Sequence, residues 1–514
     1  MQRVKVMDEA QLKKKISRFI FPLALILPGL LMIANPAYDE LWSLIFFSPL
    51  PVRQILTDLA LPNNHPLNTF FLKLLSSVSD NPLILRLPSL ICGAFVPVFC
   101  GELAYRWSRK NRLGAMIAAA VLAAFSVPLA VYCGQARGYA MQLFFLLICI
   151  LGMSMVKENP RKAALLSGIG GVGTFFCVPT GALFLLPAGI GFLIYSSKEE
   201  RRNCRMWIAA GVIALLGGIF YGVNFSALQQ ARSWGSEINT IGDFFLFIGT
   251  TFASLILVPA LPAAIPAFRE PKRWWALALL MLPLVLSAFS NGGPARTYLY
   301  LPAALAVAGG IGIGEVSTKW QGKELWISGI AAFVLAVPGV FLQQPQWQIV
   351  DYTMHFETHA KILPKEMLPV YRASGGFPMI TAHPAMLKAY HNKLALKQFD
   401  KIAFFECAPG EFNGLDENQS EAVVQTACRG EEMEFNGLAC VVYDLKKCDR
   451  VEAGKTYFLI YDPKLCKVDG ITKHGKVLAL NVWFTQGWKL TLFVCDEAVS
   501  LPPECRIYQM GDEK

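Results

Sequence analysis

Apolar residues fall along this chain in runs of about 20, the length at which a helix crosses a bilayer, with short polar segments between them. The runs predict helices near 19–34, 83–105, 113–133, 139–156, 163–178, 182–196, 206–225, 244–267, 274–290, 297–314 and 325–342. Pro179-Thr180-Gly181 interrupts the pair 163–178 and 182–196, which reads as two helices or as one broken feature. The segment near 66–79 reads as a further, interfacial helix. From residue 345 the texture changes: charges become frequent and apolar runs shorten. There Met379-Ile380-Thr381, Ile402 to Phe405, Ala439 to Tyr443 and Tyr457 to Tyr461 read as strands. Pro384 to Gln398 reads as a helix, and Trp483 to Trp488 as a hairpin with a Gln-Gly turn.

The expected fold is a polytopic α-helical membrane protein of about eleven spans with a C-terminal mixed α/β extracytoplasmic domain. The divisions are an N-terminal cytoplasmic segment 1–18, a membrane domain 19–344 and an outer domain 345–514. Composition agrees: 54% of residues are hydrophobic and 16% charged, against about 25% charged in soluble domains. The run from Phe19 to Ala34 lacks a small-residue cleavage site and reads as an anchor, not a cleaved leader.

The net charge of +10 does not mark a nucleic-acid partner, because the basic residues sit in short loops between spans. With the N-terminus inside, the inner loops hold Arg106, Arg109, Lys110, Arg112, Lys157, Arg161 and Lys162, and later Lys198, Arg201, Arg269, Lys272, Lys319 and Lys323. The outer loops hold few cations, among them Arg53, Lys73, Arg86, Arg137, Arg232 and Arg296. The positive-inside rule favours this orientation, and an odd span count puts residues 345–514 outside. Cys407, Cys428, Cys440, Cys448, Cys466, Cys495 and Cys505 of that domain then meet an oxidising compartment that permits disulfides, with Cys440–Cys448 and Cys495–Cys505 as the pairs nearest in sequence. None has zinc-type CxxC spacing. His355 and His359, four apart, read as a solvated helix face in preference to a metal grip. No nucleotide-binding glycine loop is present, and Gly309 to Gly314 lies in an apolar run where close helix packing accounts for it.

Candidate chemistry begins with Tyr38-Asp39-Glu40-Leu41-Trp42, directly after the first apolar run. A membrane-flanking loop tolerates an acidic pair anywhere; a catalytic carboxylate at the membrane surface is the sharper reading. Asp39, Glu40, His65, Arg86, Arg137 and Arg296 come from loops predicted to share one face that holds almost no other charge. Gln135-Ala136-Arg137-Gly138-Tyr139 joins two spans without a proper loop, and Gly293-Pro294-Ala295-Arg296-Thr297-Tyr298 does the same later. Either arginine alone is equally a snorkelling anchor. Two of them facing a carboxylate pair suit a phosphate-bearing substrate.

Tyr38-Asp39-Glu40, His65-Pro66-Leu67, Leu85-Arg86-Leu87-Pro88-Ser89, Gln135 to Tyr139, and Arg296-Thr297-Tyr298 with Leu301-Pro302 resemble, in order and spacing, the GT-C superfamily of glycosyltransferases. The likeness is to the dolichyl-phosphate-mannose protein mannosyltransferases and the bacterial lipid A aminoarabinose transferase, and covers residues 16–345. Many relatives read His-Pro-Pro-Leu where this chain has His65-Pro66-Leu67-Asn68, and a Thr-His pair is replaced by Val178-Pro179-Thr180. The resemblance implies a polyprenyl-phosphate sugar donor, an acceptor glycan, lipid or protein, and membrane lipids as partners. It implies a multi-pass location in the inner membrane of a bacterium, with the C-terminal domain periplasmic or extracellular. It names no certain cofactor and leaves a divalent cation possible.

The same resemblance assigns catalysis to Asp39 with Glu40 beside it. The donor phosphate falls to Arg137 and Arg296, with Arg86 as an alternative that could equally cap the Asp39 segment. Substrate positioning falls to His65, Tyr139 and Tyr298, although a turn-capping role suits His65 as well. The implied reaction is an inverting single displacement with Asp39 as general base; with an ionised phosphate as acceptor, Asp39 would orient the donor instead. A transporter or flippase of a lipid-linked sugar is the alternative; it needs cationic sites but no poised carboxylate pair, and no internal repeat of the transporter kind is evident.

Overall fold

A computed structural model describes residues 8–31, 39–40, 43–60, 63–79, 81–231, 238–255, 260–268, 271–289 and 293–342 of the membrane part. Beyond these it describes strands and short turns between 377 and 509. The chain divides into two compact units, Met1–Thr353 and Met354–Lys514.

The first unit is a helical bundle. Its main helices are α1 (Glu9–Leu31), α2 (Pro66–Ser76), α3 (Pro82–Trp107), α4 (Arg112–Ala124), α5 (Val127–Cys133), α6 (Gly138–Ser154) and α7 (Pro160–Cys177). They continue with α8 (Ala182–Tyr195), α9 (Cys204–Val223), α10 (Ile241–Leu255), α11 (Pro271–Ala288), α12 (Tyr300–Ser317) and α13 (Glu324–Leu342). Local chemistry starts several of them. Asn81 and Asn159 accept hydrogen bonds from Leu83 and Lys162 N–H as N-caps, each followed by a proline at the first helical position, where no N–H is needed. Asn111 caps α4 in the same way through Gly114 N–H.

Four segments among the described residues are long and apolar enough to cross a membrane: 83–107, 204–223, 295–317 and 324–341. A fifth is the pair α4 and α5, bent by 64°. The chain is therefore a multi-pass membrane protein, with four or five candidate spans among the described residues by length and composition. The expected straight span 113–133 breaks at Phe125-Ser126, because Pro128 opens a new helix. The basic start and the first span are one helix, since α1 begins at Glu9. The apolar stretch 244–267 splits into α10 and two short turns at Leu261–Ala264 and Ile265–Phe268. Helices α7 and α8 are separate, joined by the 3₁₀ turn Pro179–Gly181.

Helix α3 reaches from one end of the bundle to the other, with Arg86 and Arg106 about 30 Å apart at 1.5 Å per residue. At the Arg106 end, Glu102 pairs with Lys13 (2.7 Å) and Arg106 (2.7 Å), and Arg106 reaches Glu158 (3.0 Å). Tyr105 donates to Glu9 (2.8 Å), and Asn111 ties α4 to Ser317 (2.7 Å) and Ser328 (3.3 Å). The N-terminal helix and the loops near 106–112, 158 and 317–324 thus share one end. Helix α12 packs closely on α4: a Cβ at Gly310 would lie 2.6 Å from Ala119 N, and one at Gly314 3.0 Å from Ala115 N.

In the second unit, β1 (Phe377–Met379), β2 (Ile402–Glu406), β3 (Glu432–Phe435) and β4 (Leu438–Asp444) form a sheet of order β1-β2-β4-β3, with β1, β2 and β4 parallel. A five-stranded antiparallel sheet has the order β5-β11-β7-β9-β8, from β5 (Lys446–Cys448), β7 (Thr456–Tyr461), β8 (Gly475–Trp483), β9 (Lys489–Cys495) and β11 (Arg506–Gln509). The remaining strands, β6 (Arg450–Val451) and β10 (Val499–Ser500), pair with each other. Strands β8 and β9 pair antiparallel, with Trp483 opposite Lys489; the predicted turn between them lies outside the described residues. So do the predicted helix 384–398, His355, His359 and Cys505, and the side chains of Cys440, Cys448 and Cys495.

Candidate active site

The opposite end of the bundle collects Asp39, Glu40, Asn63, His65, Arg86, Arg137 and Arg296. The two neighbouring carboxylates have different fates. Glu40 meets Arg86 as a fork, Oε1 to Nε at 2.8 Å and Oε2 to Nη2 at 2.7 Å, with side chains 4% and 2% exposed. Glu40 Oε1 also accepts from Ala136 N–H at 2.6 Å. The fork geometry matches carboxylate to guanidinium, and both side chains are buried. This contact favours for Arg86 the alternative of holding the Asp39 segment, which it ties to α3 through Glu40.

Asp39 stands 28% exposed, its Oδ2 at 3.3 Å from both Arg137 Nη2 and Arg296 Nη2. Burial works to raise its pKa, but the Arg137 and Arg296 charges and a hydrogen bond from Asn63 outweigh it and hold the carboxyl below its usual value. Arg137 is 1% exposed. Its Nη1 donates to the Asp39 carbonyl (3.1 Å) and to Ser43 Oγ (3.4 Å), and its Nη2 to Asn63 Oδ1 (3.3 Å). Arg296 lies in the 3₁₀ turn Ala295–Tyr298, one third exposed, and its Nε donates to the Tyr139 hydroxyl at 3.1 Å.

Tyr139 orders this cluster. Its ring lies under the Arg137 guanidinium at 5.5 Å and meets the His65 ring edge-on at 4.7 Å. His65 stands just before Pro66 at the start of α2 but does not cap it through its side chain. Its Nδ1 accepts from Gly138 N–H at 2.8 Å, which leaves the ring proton on Nε2. That contact requires glycine: a Cβ on residue 138 would come within 2.8 Å of His65 Cβ and 2.6 Å of the Cys177 carbonyl. Asn68 and Ser89 donate to the Ala136 and Arg137 carbonyls, both at 2.9 Å, and complete the support of the 135–138 turn. Tyr298, expected to position substrate, is buried in the core with its hydroxyl against Ser287. The alternation within a 3₁₀ turn explains it: Arg296 and Tyr298 leave the turn in different directions.

Sequence reasoning missed Ser43 and Asn63. The only trace was that Asn63-Asn64 precedes His65-Pro66, polar residues crowded before a helix start. Asn64 serves structure, donating to the Ile55 and Asp58 carbonyls at 2.9 and 2.7 Å. Among the described residues no group of three or more His, Cys, Asp or Glu is placed to hold a metal. Tyr38 and Trp42 lie outside the described residues.

No family model matches the sequence. No curated protein matches it either. Solved structures do match. ArnT from Cupriavidus metallidurans in the apo state aligns with a TM-score of 0.50 at 10% identity, over 94% of this chain and 97% of that one. The same enzyme bound to undecaprenyl phosphate aligns at 0.45 and 10% identity, over the same shares. The Archaeoglobus fulgidus oligosaccharyltransferase tethered with an acceptor peptide aligns at 0.44 and 11% identity, over 85% of this chain and 70% of that one. At such identities the likeness speaks for backbone architecture, and the architecture agrees with the motif order read from the sequence. The chain shares its overall fold with the ArnT structure.

Proposed function

We propose that this protein is a membrane glycosyltransferase that moves a sugar from a polyprenyl-phosphate carrier to an acceptor hydroxyl. The observation that carries the reading is Asp39: an ionised, partly exposed carboxylate set between two arginines at one end of the bundle. The acceptor oxygen attacks the anomeric carbon, and the bond from that carbon to the phosphate oxygen breaks. The phosphate leaves with the electron pair, and the acceptor proton passes to Asp39. One displacement inverts the anomeric configuration. Arg296, the exposed arm, takes the phosphate and its growing charge. Arg137 keeps Asp39 in place, and His65 and Tyr139 hold the Arg296 side of the site.

The basic loops support an orientation with this end outside and the N-terminus in the cytoplasm. With an odd number of spans the same rule would put residues 345–514 outside. The site carries nothing that names the sugar or the acceptor. Comparing surface lipids, glycans and proteins by mass spectrometry, with and without the gene, identifies both: a single missing sugar is the expected result, and unchanged profiles reject the reading. Orientation is checked by labelling a Lys110→Cys variant, which should react only after the cytoplasmic face is opened. Labelling from outside would place the catalytic end in the cytoplasm and remove the scheme.

A further inference from the structure

We infer that Arg296 is exchanged between Asp39 and the donor phosphate, while Asn63 and Arg137 hold Asp39 through the exchange. The inference rests on the polyprenyl-phosphate reading of the site. The contacts around Asp39 are unequal. Arg137 is buried and bound to the Asp39 backbone, Ser43 and Asn63 as well as to the carboxylate. The Asn63 amide oxygen takes the Arg137 N–H, so its NH₂ is the end that faces the carboxylate, with which its side chain is hydrogen-bonded. Ser43 Oγ bridges the carbonyls of Asp39 and Asn63, both at 3.0 Å, and closes the cluster. Arg296 is less buried, and among the described residues it has fewer partners: Asp39 Oδ2 and the Tyr139 hydroxyl hold it, and a third of the side chain is exposed.

A partly exposed ion pair at 3.3 Å is weak. A phosphate offers the guanidinium two oxygens in fork geometry, which one shared carboxylate oxygen does not. An arriving donor therefore wins Arg296, and Asp39 is left with Arg137 and Asn63. Losing one of two neighbouring cations makes the carboxylate a stronger base at the moment the sugar is in place. Without donor, the same carboxylate stays doubly paired. In this scheme Asp39 competes with phosphate for Arg296, and Asn63 is a positioning residue that biases Asp39 away from that competition.

The test is binding of undecaprenyl phosphate to the purified full-length protein in detergent. Asp39→Asn keeps the shape and removes the competitor, so affinity should rise by about three- to tenfold, and Arg296→Ala should lower it by at least about tenfold. Asn63→Ala lets Asp39 lean onto Arg296 and should weaken binding by about two- to fivefold, with no further effect in the Asp39→Asn background. A merely structural Asn63 would weaken both backgrounds alike. Asn63→Ser carries the same comparison if the alanine variant fails to fold. Binding in Asp39→Asn that is unchanged or weaker, with Arg296→Ala still weakened, overturns the exchange alone. No binding by the parent protein overturns the functional reading and the exchange with it.

Discussion

Asp39 and Glu40 are adjacent in sequence, yet the two sites they build behave as opposites. Glu40 and Arg86 satisfy each other in a closed, buried fork, with a backbone N–H filling a further acceptor position. Asp39 shares one oxygen between two arginines at longer distance and stays partly open. A buried charge pair that is complete has nothing left to offer a substrate, and removing half of it leaves a stranded charge. A divided pair in reach of solvent can change partners. The difference teaches that burial and partner count, not the presence of a carboxylate, separate a fastened side chain from one open to a new partner here.

Breaking the comparison at Asp39 has the largest expected effect. Asp39→Asn should lower turnover of a polyprenyl-phosphate sugar by about 10²–10⁴-fold, the cost of losing a general base, while its thermal unfolding stays close to the parent. Parent-like turnover would show that Asp39 is no base. At the other site the loss should be in stability. Glu40→Ala strands Arg86 inside the bundle and should cost about 3–5 kcal/mol, read as a lower unfolding temperature in detergent. Glu40→Ala with Arg86→Met should recover much of it, because no charge remains buried. A single variant that melts like the parent would erase the distinction between the two carboxylates.

Smaller effects sharpen the picture. Tyr139→Phe removes the acceptor of the Arg296 Nε–H and should reduce carrier affinity a few-fold, matching about 0.5–1.5 kcal/mol for one hydrogen bond. Titration gives the smallest effect. The Asp39 pKa is depressed, so its charged, base-competent form is present above that value and is lost only as pH falls through it. Turnover should therefore show no Asp39-linked loss between about pH 5 and 8, since even an unperturbed carboxyl titrates near 4. An acid limb within that range that vanishes in Asp39→Asn would mean that burial, not the arginines, governs this carboxyl.

Much of this organisation was legible in the chain. Runs of apolar residues announced a multi-pass helical protein, because a bilayer leaves the backbone no alternative to internal hydrogen bonding. Asn-Pro starts fixed where α3 and α7 begin, since capping is local chemistry. The order of the Asp39, His65, Arg86, Arg137 and Arg296 segments suggested an architecture like that of the aminoarabinose transferases, and the fold resembles the ArnT structure. Loop charges indicated which segments belong together, and the Lys13–Glu102–Arg106–Glu158 chain gathers them at one end.

What the sequence could not decide is which charge meets which. Neighbours in a chain carry no record of the partners that folding brings from 46 or 98 residues away, as Arg86 comes to Glu40 and Arg137 to the Asp39 carbonyl. Nor does spacing reveal that Tyr298 turns into the core while Arg296, two residues before it, reaches the site. A run of apolar residues fixes a helix because its hydrogen bonds are local. The fate of an ionisable side chain depends on solvation and on distant partners, so the tertiary structure alone divided the acidic pair into a fastener and a site.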